Sequence, residues 1–234
     1  MGYIFAILVA LAIFGTNQCH AQNTCPTAQN SSCDMSTLAC CDKNFRTSLN
    51  ILNQCENSGT FADPFCYRRI IETMYAEGGI QGLLKVCSAF HLFKDCLGDM
   101  MVDCMTYPYF IVLGYPRDLA FRTQVLYAQL QFACGAGMDS FIYNENCMPK
   151  TWNSSIPALE ACRNEFALSE PNDRCYAMTN FLDCVQLPFQ QGCTLESSWW
   201  MCEYTRVTAQ IFYPECRGKC LINNVNFQKA AASN

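Results

Sequence analysis

Nineteen cysteines in a chain of 234 residues constrain the fold more than any other feature, and eighteen of them lie beyond a segment that reads as a cleavable signal peptide. An even number left after export points to a disulfide framework rather than to metal ligands or nucleophiles. Its members are Cys25, Cys33, Cys40, Cys41, Cys55, Cys66, Cys87, Cys96, Cys104, Cys134, Cys147, Cys162, Cys175, Cys184, Cys193, Cys202, Cys216 and Cys220. Sequence does not give the pairing. Adjacent Cys40 and Cys41 point in different directions, so each is expected to bond a separate partner.

The signal segment is residues 1–21. Tyr3 to Phe14 is an unbroken apolar run, and Cys19 and Ala21 supply the small-x-small pattern for cleavage before Gln22. The run is shorter than the roughly 20 apolar residues that a spanning helix needs. No later stretch is apolar for long enough to span, and residues 221–234 read as a polar, flexible tail. The expected product is exported, with one cysteine-rich helical domain over residues 22–220.

About 213 residues remain after cleavage, enough for one substantial core. The chain is 51% hydrophobic and 13% aromatic, which excludes a disordered stalk. A formal charge of -5 without a basic cluster argues against nucleic acid as a partner. A chain of this size can fold without bridges, so their number reads as endurance in a harsh medium.

Apolar residues recur at helical spacing almost throughout. Asp34 is an N-cap, and Leu38, Cys41, Phe45, Leu49, Leu52 and Cys55 form a stripe predicting one helix as far as Cys55. Asp63-Pro64 pairs an N-cap with proline at the first helical position, and Gly78-Gly79 reads as a stop. A helix is expected over Ile80 to Cys104 with a break at Gly98, and another from Asp118 to the glycines at 135 and 137. Tyr107 to Arg117 and Pro149 to Ile156 read as loops, because each is rich in proline, glycine or polar residues. Pro157 is expected to open a short helix to Leu168, followed by a turn at Ser169 to Asp173. Two further helices are expected over Cys175 to Val185 and Leu195 to Phe212. Sustained period-two alternation is absent. The fold class is therefore all-α, a disulfide-stapled bundle of about six to eight short helices.

Cys175, Cys184, Cys193 and Cys202 are each nine residues apart. Nine residues turn a helix by about 900°, which places successive cysteines on opposite faces. Pro188 and Gly192 interrupt a continuous helix in any case, so short helices pinned to different neighbours are expected. The same even spacing also arises by chance.

The order of motifs carries a resemblance. Cys33 is followed by Cys40-Cys41-Asp42-Lys43-Asn44-Phe45, then by Gly82 to Phe90 around Cys87, Lys94-Asp95-Cys96-Leu97, Leu130 to Cys134, Phe141 through Cys147, and the regular cysteines to Cys220. This resembles the secreted cysteine-rich helical domains of nematodes, grouped partly as domain of unknown function family nineteen and partly with chondroitin-proteoglycan-type domains. The resemblance implies an extracellular helical module and supplies no catalytic residues.

Few residues invite a chemical role. His91 is the only histidine beyond the signal segment, and a Ser-His-Asp or Cys-His enzyme would have to use it; a helix-surface histidine is the plainer reading. Cys40-Cys41 has the adjacency found in secreted phospholipase A2, but Asp42-Lys43-Asn44 follows instead of His-Asp. Glu160 and Glu165 could serve a glycosidase, yet nothing selects them over solvated carboxylates. The chain lacks a paired Cys-x2-Cys, so no metal and no cofactor is expected. Asn30-Ser31-Ser32 and Asn153-Ser154-Ser155 are N-glycosylation sequons, which makes Asn30 and Asn153 modification candidates. Ser58-Gly59 matches the minimal glycosaminoglycan attachment dipeptide, although a helix-ending turn explains it equally. Trp199 and Trp200 should point about 100° apart on a helix, one into the core and one nearer the surface.

The sequence thus points to a non-catalytic extracellular interaction or structural module whose partner is a protein or matrix glycan. A carrier of a small hydrophobic ligand is the alternative, and a secreted hydrolase ranks below both.

Overall fold

The computed structural model describes residues 25–26, 31–216 and 218–220. The signal segment, the tail and Asn30 lie outside them. The described chain is all-α, with no strand. Its helices are α1 (Met35–Leu49), α2 (Pro64–Leu97), α3 (Met101–Cys104), α4 (Tyr107–Val112), α5 (Arg117–Ala133), α6 (Met138–Tyr143), α7 (Met148–Ser169), α8 (Arg174–Gly192) and α9 (Leu195–Phe212).

Polar residues start α1, α2, α8 and α9 by satisfying free amides of the first turn. The Asp34 carboxylate accepts from Thr37 N at 2.8 Å, Asp63 from Cys66 N at 3.1 Å and Asp173 from Tyr176 N at 3.0 Å. Thr194 and Ser197 form a reciprocal capping box that opens α9.

Several boundaries differ from those expected. Helix α1 stops at Leu49, six residues short of Cys55, because Asn50 takes the left-handed conformation at φ 61° and its N–H closes the last turn. Gly78-Gly79 does not end a helix. Gly79 adopts φ 54° and ψ -134°, which bends α2 and lets it continue to Leu97. Tyr107 to Val112 and Met148 onward are helical rather than looped. Pro108 and Pro149 sit in the first turn, where the missing N–H costs nothing. Pro157 therefore lies inside α7, and Pro188 inside α8.

Nine disulfides join eighteen cysteines, with Cα–Cα distances of 5.0 to 5.9 Å. The bridges Cys25–Cys40, Cys33–Cys104, Cys41–Cys96, Cys55–Cys66 and Cys87–Cys134 close the first part of the chain. Cys147–Cys193, Cys162–Cys184, Cys175–Cys216 and Cys202–Cys220 close the second. Cys40 and Cys41 bond different partners, and the four evenly spaced cysteines reach four different ones. None of the nine bridges crosses from residues 25–134 to residues 147–220.

Packing joins the two parts instead. Helix α2 lies against α7, and α5 against α9. One core cluster draws on all nine helices. At the junction Trp200 is fully buried, with ring centroids 5.4 Å from Phe141, 5.6 Å from Trp152 and 5.0 Å from Tyr204. Its Nε1–H donates to the Gly137 carbonyl at 2.8 Å. Trp199, half-buried, meets the edge of Phe132.

Candidate functional site

A cleft runs between the first half of α2 and α7, at the seam that no bridge spans. It encloses about 120 Å³. Arg68, Arg69, Glu72 and Glu77 line one wall at helical spacing, and Glu160 and Arg163 line the other. Phe65 and Ile156, each nearly half exposed, stand with Asn153 among its lining residues.

One ion pair, Glu72 with Arg163, crosses the cleft. Glu72 lies 3.6 Å from Arg68 Nε and 3.5 Å from Arg163 Nη2, while Arg163 Nη1 donates to Glu160 at 2.8 Å. Arg68 Nε is buried and finds no hydrogen-bond acceptor, since 3.6 Å is beyond a proper bond. The guanidinium groups of Arg68 and Arg69 stack over Phe65 at 5.2 and 6.0 Å. Tyr75, just behind Glu72 in sequence, is buried with its hydroxyl unpartnered. Burial drives its pKa well above the usual tyrosine value, and the neighbouring Glu72 carboxylate adds to the rise. The same two influences act on Tyr204, burial first.

Three arginines face three glutamates here, so the lining carries no formal net charge. It presents donors and acceptors side by side, with an aromatic ring and an aliphatic side chain beside them. This is a lining suited to a neutral polar molecule.

A second polar cluster is sealed in the core of the first part. Asp42 pairs with Arg46 at 2.8 Å and accepts from the Thr60 N–H at 3.2 Å and from the Thr60 hydroxyl. Arg46 lies over the Tyr67 ring at 5.8 Å. Desolvation pushes the Asp42 carboxyl upward, against the opposing pull of Thr60 and Arg46. Both side chains are nearly closed to solvent, and the cluster ties α1 to Thr60.

The remaining sequence candidates scatter. His91 is exposed on α2, its Nδ1 2.9 Å from the Cys87 carbonyl. Glu160 is held by Arg163, and Glu165 is exposed on α7. The Ser58 hydroxyl donates to the Cys55 carbonyl at 2.7 Å, inside a turn where Cys55, Glu56 and Asn57 all have positive φ. The sulfurs of Cys25, Cys41 and Cys96 lie within 4.8 Å of one another, but each belongs to a bridge and offers no thiolate. Of these candidates Asn153 and Glu160 fall in the cleft. Of the charged lining, the sequence singles out Glu160 alone. The lining's signal was the i, i+4 pair Arg68/Glu72 and the i, i+3 pair Glu160/Arg163.

Among the described residues no helix is long and apolar enough to cross a membrane. Comparison with protein-family models, curated proteins and solved structures found no match.

Proposed function

We propose that the chain is exported and serves as a non-catalytic extracellular interaction or structural module, of the kind represented by the nematode cysteine-rich domains it resembles. The observation that carries this reading is the engagement of every cysteine from Cys25 to Cys220 in a bridge. Such a framework forms and persists in oxidising compartments, and it leaves those cysteines without free thiols for nucleophilic or metal chemistry. The partner is an extracellular protein or matrix glycan.

The carrier reading has less support. The large aromatic residues at the junction are spent on one another, and six charged side chains line the cleft.

Export is tested by expressing the full chain in a secreting eukaryotic cell. The expected product accumulates in the medium, gains about 18 Da on full reduction, and shows no alkylatable thiol before it. Retention in the cytosol, or several free thiols in the exported form, overturns the reading. Affinity capture from the native extracellular fluid then identifies the partner by mass spectrometry.

A further inference from the structure

We propose that Asn153 carries an N-linked glycan whose first sugar seats in the cleft between α2 and α7. The proposal rests on the export reading, because the transfer occurs in the secretory pathway.

Three independent observations converge. Asn153 begins a complete sequon, Asn153-Ser154-Ser155, and is exposed on α7. It lines the cleft, so a sugar bonded to its Nδ2 starts at the mouth. The cleft lining is what a pyranose requires. Phe65 and Ile156 can meet its C–H face, while Arg69 and Glu77 lie within the same lining for its hydroxyl groups. Arg68 Nε is a buried N–H still lacking an acceptor. The equal number of arginines and glutamates disfavours an ionic ligand and suits a neutral polyol.

Size supports a tethered occupant. A cleft of about 120 Å³ is too small to hold a free ligand tightly, but a covalent link supplies an effective concentration of order millimolar. In the transfer, Asn153 Nδ2 forms a bond to C1 of an oligosaccharide carried on a lipid diphosphate. The C1–O bond to that carrier breaks, the free lipid diphosphate leaves, and the amide gives up one proton. Ser155, the third residue of the sequon, is only 8% exposed in the folded chain. Transfer therefore precedes the packing of α7, and the sugar is present when α2 and α7 meet. It then bridges the seam that no disulfide crosses.

The test uses the secreted full chain. Peptide mapping should find Asn153 occupied. Amidase release of its glycan should be about ten-fold slower from the native protein than from the denatured one, as expected of a seated core. Nuclear Overhauser contacts should join the first sugar to Phe65 or Ile156. Phe65→Ala should keep occupancy and lose the protection, and Ser155→Thr, which preserves the sequon, should keep both. An exported, fully bridged protein with unmodified Asn153 overturns this proposal while leaving the export reading intact. Occupancy without slowed release or sugar–ring contacts overturns the seating. A chain that is never exported overturns both.

Discussion

Asp42 and Arg46, one turn apart on α1, form a 2.8 Å ion pair that is almost wholly buried. Neither charge has water to fall back on, so Arg46 depends on Asp42, and Asp42 on Arg46 and Thr60. Asp42→Ala would leave the guanidinium uncompensated and the Thr60 donors without an acceptor. The expected cost is about 3–5 kcal/mol, read from urea unfolding with the bridges intact. The double variant Asp42→Leu/Arg46→Met removes both charges and should recover most of that loss. If it is as unstable as the single variant, the pair is not the source of the cost.

Two aspartates should act oppositely on acid stability. Hydrogen bonds from Ser36, then from Thr37, lower the Asp34 pKa from 3.8 to about 2. Its contribution is present above the unfolded value and is lost as pH falls through about 2. Asp42 is shifted upward by desolvation, so the native state takes up its proton more readily than the unfolded chain does. Its ionisation therefore lowers stability as pH rises from 3.8 toward the folded value. Asp34→Asn should flatten the fall in stability below pH 4, and Asp42→Asn should remove the decline that Asp42 ionisation causes as pH rises above 3.8. Carboxyl-carbon NMR titration checks both, with Asp34 expected to titrate near about 2.

Much of the helical plan was open to reading because its signals are local. The caps at Asp34 and Asp63, the break at Gly98 and both ends of α9 follow from one or two residues each. The differences at Tyr107, Pro149, Pro157 and Pro188 share one cause, that proline does not break these helices, whereas those at Cys55 and Gly78-Gly79 come from the backbone of Asn50 and Gly79. Pro108 and Pro149 start helices, while Pro157 and Pro188 are carried inside longer ones by tertiary packing. The cleft was hidden for a different reason. Arg68 and Glu72 are an ordinary i, i+4 helix pair until α7 brings Arg163 against Glu72 from more than ninety positions away. Sequon and cleft could be joined only once Asn153 was placed among the lining residues.

Bridges Cys33–Cys104 and Cys41–Cys96 are nested, the second lying inside the first. With the inner bridge intact, the outer one closes only the stretches from 33 to 41 and from 96 to 104. Its removal as Cys33→Ala/Cys104→Ala should therefore cost about 3 kcal/mol, like a short loop, rather than the more than about 4 kcal/mol of a 71-residue loop. Removing both bridges should cost about 1 kcal/mol more than the sum of the two single removals, since each partly substitutes for the other. Strict additivity in denaturant unfolding would show that the loops close independently.

Gly79 sets the bend of α2 with a backbone conformation, φ 54° and ψ -134°, that side-chain-bearing residues rarely take. Three residues on, a Cβ at Gly82 would collide with the Met74 carbonyl. Gly79→Ala should cost about 1–3 kcal/mol through strain, and Gly82→Ala should be destabilising as well, through that collision. Bend and close approach serve one geometry, so the double variant should cost less than the sum. Thermal unfolding of the four proteins makes the comparison.

Because no bridge links residues 25–134 to 147–220, the aromatic junction around Trp200 has to hold the two parts together. Trp200→Ala empties a fully buried site and leaves the Gly137 carbonyl without its donor, at an expected cost of about 3–5 kcal/mol. Trp200→Phe keeps most of the ring contacts and should cost about 1–3 kcal/mol, chiefly through the unsatisfied carbonyl. A protease site placed within residues 135–146 gives a sharper readout. After cleavage the native protein should remain whole under non-reducing conditions, yet separate into two fragments in denaturant without any reductant. In the Trp200→Ala background the cut halves should part at markedly lower denaturant. Fragments that stay joined until reductant is added would show that a bridge crosses the seam after all.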